Sequence, residues 1–325
     1  MGLNAKDLIR LLLLSKSQSL YIYDLELLKS RFASITMDKP DNVSFLFPVK
    51  AFPHCKLLEL VSEYFDGFDV SNENEFNLVK DCINDDHVCW SSAPYDTSYP
   101  GFSYNKLFVD GVSSQRFNLD SFLGQQSRFG LDLEQGITSS AIHMHLGFQN
   151  NTKDSILKCA EYIEKKCRNS IVTEINLGGG FDFSSMSEMQ DCVLDVSDIL
   201  SDYKIYFEPG NWVTQGCGAI IGRILGVLKA GNDFKVTTSV SALGHLRWSQ
   251  SIELSLKGLL GVKTKYERLQ LFGPTCSESD IIADLYDGES SLNLGDFIII
   301  KGLSSYSYAW RCDFNGIKAP DLVFI

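Results

Sequence analysis

Residues 43–70 read V-S-F-L-F-P-V-K-A-F-P-H-C-K-L-L-E-L-V-S-E-Y-F-D-G-F-D-V, and this stretch decides the fold. Val43–Val49 is an almost wholly apolar run, suited to a strand buried on both faces. Cys55–Phe65 carries apolar residues at helical spacing, and Gly67–Val70 is a second short strand. Strand, helix and strand in this order make a βαβ unit, with the two strands parallel. Working outward, the same alternation continues. His87–Ser92, Lys106–Asp110, Ala141–Leu146, Ile171–Leu177 and Lys204–Phe207 are further strand candidates, with helical segments at Lys153–Lys166 and Ser187–Leu200. Seven such strands, with an eighth near Phe117–Arg128, suit a (β/α)8 TIM-type barrel over residues 26–215 better than an open doubly wound sheet.

Beyond residue 215 the texture changes. Phe234–Val240, Arg268–Phe272, Gly295–Lys301, Ser305–Trp310 and Leu322–Ile325 read as strands, and Ala219–Lys229 reads as a helix. With Leu20–Tyr23 as an added strand, residues 1–25 plus 216–325 are expected to form a second, mainly β domain.

The 325 residues carry 29 Lys+Arg against 41 Asp+Glu, a formal net charge of −12. Such a surface argues against polyanionic partners, both nucleic acid and anionic membrane. The apolar run Leu11–Leu14, beside Leu8 and Ile9, is too short to span a bilayer. Nine cysteines without a C-x-x-C pair signal neither a disulfide framework nor a zinc knuckle, and a cytoplasmic location is expected.

In a barrel, the polar residues just past strand C-termini form the active face. Lys50 closes the first apolar run, as either a surface lysine at a loop start or a desolvated amine able to form a Schiff base. Asp69 ends the next strand and Glu75 follows six residues on; alone they read equally well as a helix cap and a solvated first-turn acid. His143 and His145 lie two apart on one strand face, a metal pair or packed rings. Gly178-Gly179-Gly180 after Ile171–Leu177 would let backbone N–H groups crowd a phosphate, or is a bare turn. It is not G-x-G-x-x-G, so a dinucleotide site is not indicated. Glu208, placed rigidly by Pro209-Gly210, ends the strand Lys204–Phe207.

Nine motifs in order carry a resemblance. They are Y-x-Y-D (Tyr21–Asp24), V-K-A (Val49–Ala51), F-D-V-S-x-x-x-E (Phe68–Glu75), S-R-F-G (Ser127–Gly130) and H-x-G (His145–Gly147). Then follow G-G-G-F (Gly178–Phe181), E-P-G (Glu208–Gly210), G-P-T-C-x-x-x-D (Gly273–Asp280) and Tyr306 with F-N-G (Phe314–Gly316). In these the chain resembles the fold-type III pyridoxal-phosphate decarboxylases, the family of ornithine, diaminopimelate and carboxynorspermidine decarboxylases. The resemblance implies an alanine racemase-like architecture, a barrel plus a β domain. It implies that Lys50 holds pyridoxal 5'-phosphate, that Glu208 faces its pyridine nitrogen and that His145 lies on its ring face. Gly178, Gly179, Gly180 and Tyr306 would grip the phosphate, with Asp69 and Glu75 near the lysine and His145. Cys276 would return a proton to the substrate carbon. In the family that cysteine reaches across a homodimer interface, so active sites are shared. No metal is implied.

Three departures bear on the substrate. The family's H-x-G-S has Phe148 in its fourth place, E-P-G-R has Asn211, and the acid that commonly follows the cysteine is Ser277. Arg128, Ser184 and Ser185 are candidates to replace the missing phosphate contacts. Ser277, Glu278 and His245 are candidates for substrate contacts. K-A-F (Lys50–Phe52) and S-V-S-A-L-G-H (Ser239–His245) resemble the carboxynorspermidine branch, whereas H-L-G-F-Q (His145–Gln149) fits the diaminopimelate branch better. The expected reaction is therefore decarboxylation of a 3-amino-3-carboxypropyl group on a larger conjugate, a polyamine precursor or a microcin C-type product. Alternatives are a diaminopimelate, ornithine or lysine decarboxylase, a racemase, a non-catalytic cofactor binder, and a metal-dependent barrel hydrolase using His143 and His145.

Overall fold

The structure is a computed structural model that describes residues 4–15, 17–92, 106–118, 129–133, 136–146, 151–249, 252–258 and 262–325. It divides into two compact units, Lys29–Val213 and Met1–Leu28 with Thr214–Ile325.

Strand β1 (Ser19–Tyr23) belongs to the second unit; the first holds β2 (Val43–Pro48), β3 (Gly67–Val70), β4 (Val88–Ser91) and β5 (Leu107–Val109). It continues through β6 (Gln115–Asn118), β7 (Leu131–Asp132), β8 (Ala141–Met144), β9 (Glu174–Asn176) and β10 (Lys204–Phe207). All pair in parallel, in the order β5-β4-β3-β2-β10-β9-β8-β6-β7. An isolated parallel bridge from Asp110, just past β5, to Ser114, just before β6, links the first strand of this path to its penultimate one. The barrel reading holds, with nine described strands rather than seven or eight. The run expected near Phe117–Arg128 begins earlier, at Gln115, and residues 119–128 lie outside the described set.

The parallel strands are apolar because side chains cover both faces; every residue of β2 and β3 is buried. Outside lie amphipathic helices. Lys153–Cys167 buries Ile156, Cys159, Ala160, Ile163 and Cys167, and Thr152 caps it by accepting the Ser155 N–H. Met186–Ile199 buries Met189, Cys192, Val193 and Val196. Leu46, Trp90, Ala141 and Tyr206 form a core cluster, with Trp90 stacked on Phe108 at 4.6 Å between ring centroids.

The second unit is one sheet of β1, β11 (Gly218–Ala230), β12 (Asp233–Thr238), β13 (Glu253–Lys257), β14 (Thr264–Phe272), β15 (Ile281–Ser290), β16 (Phe297–Leu303) and β17 (Asp321–Phe324). Two readings are corrected here. Ala219–Lys229 is not a helix but the core of β11, which pairs antiparallel with β1, β12 and β16. Its apolar spacing fits either period, but Gly222 and Gly226 weaken a helix, and Gly218 and Gly222 admit close neighbours: a Cβ at Gly218 would lie 2.4 Å from the Tyr23 ring. Conversely, Ser305–Trp310 is not a strand; Ser304 caps a short helix, Ser305–Ala309, by accepting the Tyr306 N–H at 3.1 Å. The leucines read as too short for a membrane span lie on the helix Ala5–Ser15, whose Leu8 and Leu12 pack against Leu20, Ile22, Ile221, Phe297 and Ile299. No helix among the described residues is long and apolar enough to cross a membrane.

Candidate active site

Lys50, Asp69, His145, the Gly178–Gly180 turn and Glu208 each sit at or just past the C-terminal end of a strand. Lys50 lies in a single 3-10 turn, Val49–Ala51, after β2. Register places Asp69 of β3 opposite Pro48 of β2, and Lys50 Nζ donates to Asp69 Oδ2 at 2.5 Å. The Asp69 side chain is 0% exposed and that of Lys50 is 38% exposed, so the amine is anchored at the wall yet open on one side. Asp69 Oδ1 accepts the Ser92 hydroxyl at 2.5 Å. Glu75, in the helix Glu73–Val79 capped by Asn72, accepts the Ser71 N–H at 2.7 Å. Burial raises its carboxyl above the usual range, with Asp69 adding to the rise and Lys50 opposing it.

His145 follows β8 and is half-buried. Burial holds its imidazole well below the usual histidine range, with His143, Lys50 and Arg116 adding to the effect. The ring lies against Gly178, where a Cβ would stand 3.0 Å from His145 Cδ2. Gly178 has φ +66° and Gly180 φ +79°, so the turn after β9 uses the left-handed region open to glycine. At Gly179 a Cβ would lie 2.4 Å from the Glu208 carbonyl oxygen. Asn151 secures the turn by donating Nδ2 to the Gly179 carbonyl at 2.7 Å.

Glu208, 2% exposed, directly follows β10 and accepts Asn176 Nδ2 on Oε1 at 2.8 Å. Burial and then Asp69 push its carboxyl up, opposed by His143, Lys50 and the Asn176 hydrogen bond. His143 is wholly buried and lies beside it, with Nε2 at 3.8 Å from Glu208 Oε1 and Nδ1 at 2.8 Å from Asp110 Oδ2. The reading of His143 and His145 as a metal pair is not supported by this geometry, because His143 turns to two carboxylates on opposite sides. Among the described residues no three metal-ligating side chains converge. Asp110, Asn176 and Arg116 were not singled out from sequence. The available signal was Asp110 itself, a polar residue closing the strand candidate Lys106–Asp110.

The second unit carries the remaining candidates. Cys276 is exposed in the loop between β14 and β15, and its N–H donates to Asn315 Oδ1 at 2.8 Å. Thus G-P-T-C and F-N-G, far apart in sequence, meet. Asp280, 1% exposed, ties this loop down by accepting Thr275 Oγ1 at 2.7 Å and the Ala242 N–H at 2.7 Å. Ser277 is half-buried, Glu278 is exposed and Tyr306 is half-buried. His245 is 0% exposed, and its Nδ1 accepts the Ser241 N–H at 3.0 Å, so its ring belongs to the interior of this unit rather than to an open substrate surface. Ser184 and Ser185, candidates for a phosphate contact, form a helix cap instead. Ser184 donates to Glu188 Oε2 and Ser185 accepts the Glu188 N–H. Arg128 and Phe148 lie outside the described residues, as do Ser127 and Gly147 of the quoted motifs.

The barrel site fits pyridoxal phosphate. It offers one amine on an anchoring carboxylate, one buried carboxylate, an uncharged imidazole over a bare glycine, and a glycine turn that any side chain would fill. The chain matches no family model. It is 20% identical to ornithine decarboxylase of Schizosaccharomyces pombe, over 88% of this chain and 79% of that protein. It is 21% identical to 2-[(L-alanin-3-ylcarbamoyl)methyl]-2-hydroxybutanedioate decarboxylase of Staphylococcus aureus, over 94% and 93% respectively. Among solved structures it resembles lysine/ornithine decarboxylase of Vibrio vulnificus complexed with putrescine, with TM-score 0.76 and 18% identity over 99% of both chains. A second neighbour, SrLDC in complex with PLP and cadaverine, has TM-score 0.77 and 15% identity, covering 100% of this chain and 94% of that one.

Proposed function

We propose that this chain, which belongs to the fold-type III pyridoxal-phosphate decarboxylases, removes CO2 from the amino-acid end of a larger conjugate, best matched by a 3-amino-3-carboxypropyl group. The observation that carries the reading is the Lys50–Asp69 pair opposite buried Glu208 at the strand ends. When bound, the cofactor supplies an electron sink for the pair left by departing CO2. Lys50 would hold it, Asp69 orienting the amine. Glu208 would keep its ring nitrogen protonated, and His145, held uncharged, would pack on its face. Gly178, Gly179 and Gly180 would take the phosphate, with Tyr306 of the second unit.

Cys276 would deliver a proton to the substrate carbon, with Ser277 and Glu278 toward the substrate's far end. Ser277, standing where an acid would bind a distal amine, favours a conjugate over free ornithine or lysine. The Staphylococcus aureus relative, named as acting on a citrate-type conjugate, supports that class. The enzyme would act as a cytoplasmic homodimer with shared sites, the barrel of residues 26–215 and the β domain of residues 1–25 plus 216–325 both contributing.

The test is incubation of the cofactor-loaded protein with free amino acids and carboxy-aminopropyl conjugates, read by mass spectrometry for loss of CO2. Loss confined to conjugates is expected. Turnover of ornithine or lysine alone would overturn the substrate class, and no turnover of any amino acid would overturn the reaction.

A further inference from the structure

We propose that His143, backed by Asp110, is a positioning residue that shares one proton with Glu208 and so sets the charge Glu208 presents to the cofactor's ring nitrogen. The inference rests on the cofactor site described above and extends it one layer outward.

Asp110 receives donors on both oxygens. Trp90 Nε1 at 3.0 Å and the Ser114 hydroxyl at 2.7 Å reach Oδ1, while Arg116 at 3.4 Å and His143 Nδ1 at 2.8 Å reach Oδ2. Burial pushes Asp110 up, but His143, Arg116 and Trp90 outweigh it and bring it down to about 2. Facing a permanent carboxylate, Nδ1 must carry a hydrogen. The other nitrogen, Nε2, is sealed from solvent without a hydrogen-bond partner among the described residues, 3.8 Å from Glu208 Oε1. A lone pair aimed at a carboxylate repels it, whereas a proton between them turns the contact into an attraction. Strand pairing holds the arrangement: His143 of β8 is in register with Asn176 of β9, and Asn176 grips the same Glu208 oxygen.

The consequence concerns charge. Burial of Glu208 beside Asp69 favours a neutral carboxyl, which cannot hold a ring nitrogen in its protonated form. Lys50 faces Glu208 as well, but its amine is the one committed to the cofactor. His143 Nε2, 3.8 Å away, is the ring nitrogen placed to act on that carboxylate beside Asn176.

The experiment compares binding of pyridoxal phosphate with binding of its 1-deaza analogue, which has C–H in place of the ring nitrogen. Fluorescence titration of the apoprotein gives both affinities. Wild type is expected to prefer pyridoxal phosphate, and Glu208→Gln to lose that preference. His143→Leu should reduce the preference by about tenfold, the size of one proton-affinity unit, and should add nothing in the Glu208→Gln background. Asp110→Asn, nearly isosteric, should weaken the preference in the same direction and serves if the leucine variant does not fold. Wild-type preference retained in both variants, or equal weakening for both ligands, would overturn the inference. Failure of wild type to bind pyridoxal phosphate at all would instead overturn the cofactor reading beneath it.

Discussion

Lys50 is held at 2.5 Å by a carboxylate that solvent does not reach, and this separates it from an ordinary surface lysine. Reduction of the loaded protein with borohydride, followed by peptide mapping, should place the pyridoxyl group on Lys50; label on another lysine would sink the assignment. Glu208 and Cys276 are expected to act on different halves of the reaction. Glu208→Gln weakens the charge facing the ring and should slow CO2 release by about a hundredfold, the scale of removing one preorganised electrostatic contact. Cys276→Ala should leave CO2 release nearly intact but misdirect protonation, giving an aldehyde and pyridoxamine phosphate in place of the amine. Quantifying CO2, amine and aldehyde together tests both. A cysteine variant making the normal amine at the normal rate would remove Cys276 from the mechanism.

At the scale of elements, the glycine turn after β9 joins fold and site. Gly178 leans on His145 and Gly179 on the backbone of Glu208, so a side chain here pushes two site residues apart. Gly179→Ala should cost about 1–3 kcal/mol, as overpacking generally does, and should weaken cofactor binding as well. Denaturant unfolding with an unchanged slope and a lower midpoint measures the first, and cofactor titration measures the second. Strand β11 teaches a related lesson. Its apolar positions satisfy a helical period, but its glycines admit the Tyr23 ring at Gly218 and Ser239 Oγ at Gly222. Periodicity was ambiguous there, and close approach by neighbouring elements settled the outcome.

For the molecule as a whole, two measurements follow. Burial pushes His245 down to about 4, with Asp280 and Asp313 partly opposing. Because its native value lies below the unfolded one, the unfolded chain takes up the proton first as pH falls. The neutral, folded form is therefore fully favoured above about 6.5, and stability is lost between about 6.5 and 4, by about 3 kcal/mol at most. His245→Gln, whose side-chain oxygen can still accept the Ser241 N–H, should flatten stability against pH across that window; an unchanged slope would exclude His245 as its source. Assembly is tested by mixing. A Lys50→Ala chain and a Cys276→Ala chain, each inactive or misdirected alone, should regain part of the activity as a hybrid if sites are shared between copies. No recovery after demonstrated subunit exchange would count against sharing. By itself the sequence determined the alternating strands and helices, the β-rich remainder, and the lysine, histidine, glycine turn and glutamate as candidates. These were legible because a parallel barrel delivers strand ends to one face, so local patterns suffice. Tertiary structure alone decided that β11 is a strand, that His245 is interior, and that Asp110, His143 and Glu208 line up. Each of these depends on which distant elements lie side by side, and strand register, rather than any local pattern, specifies that.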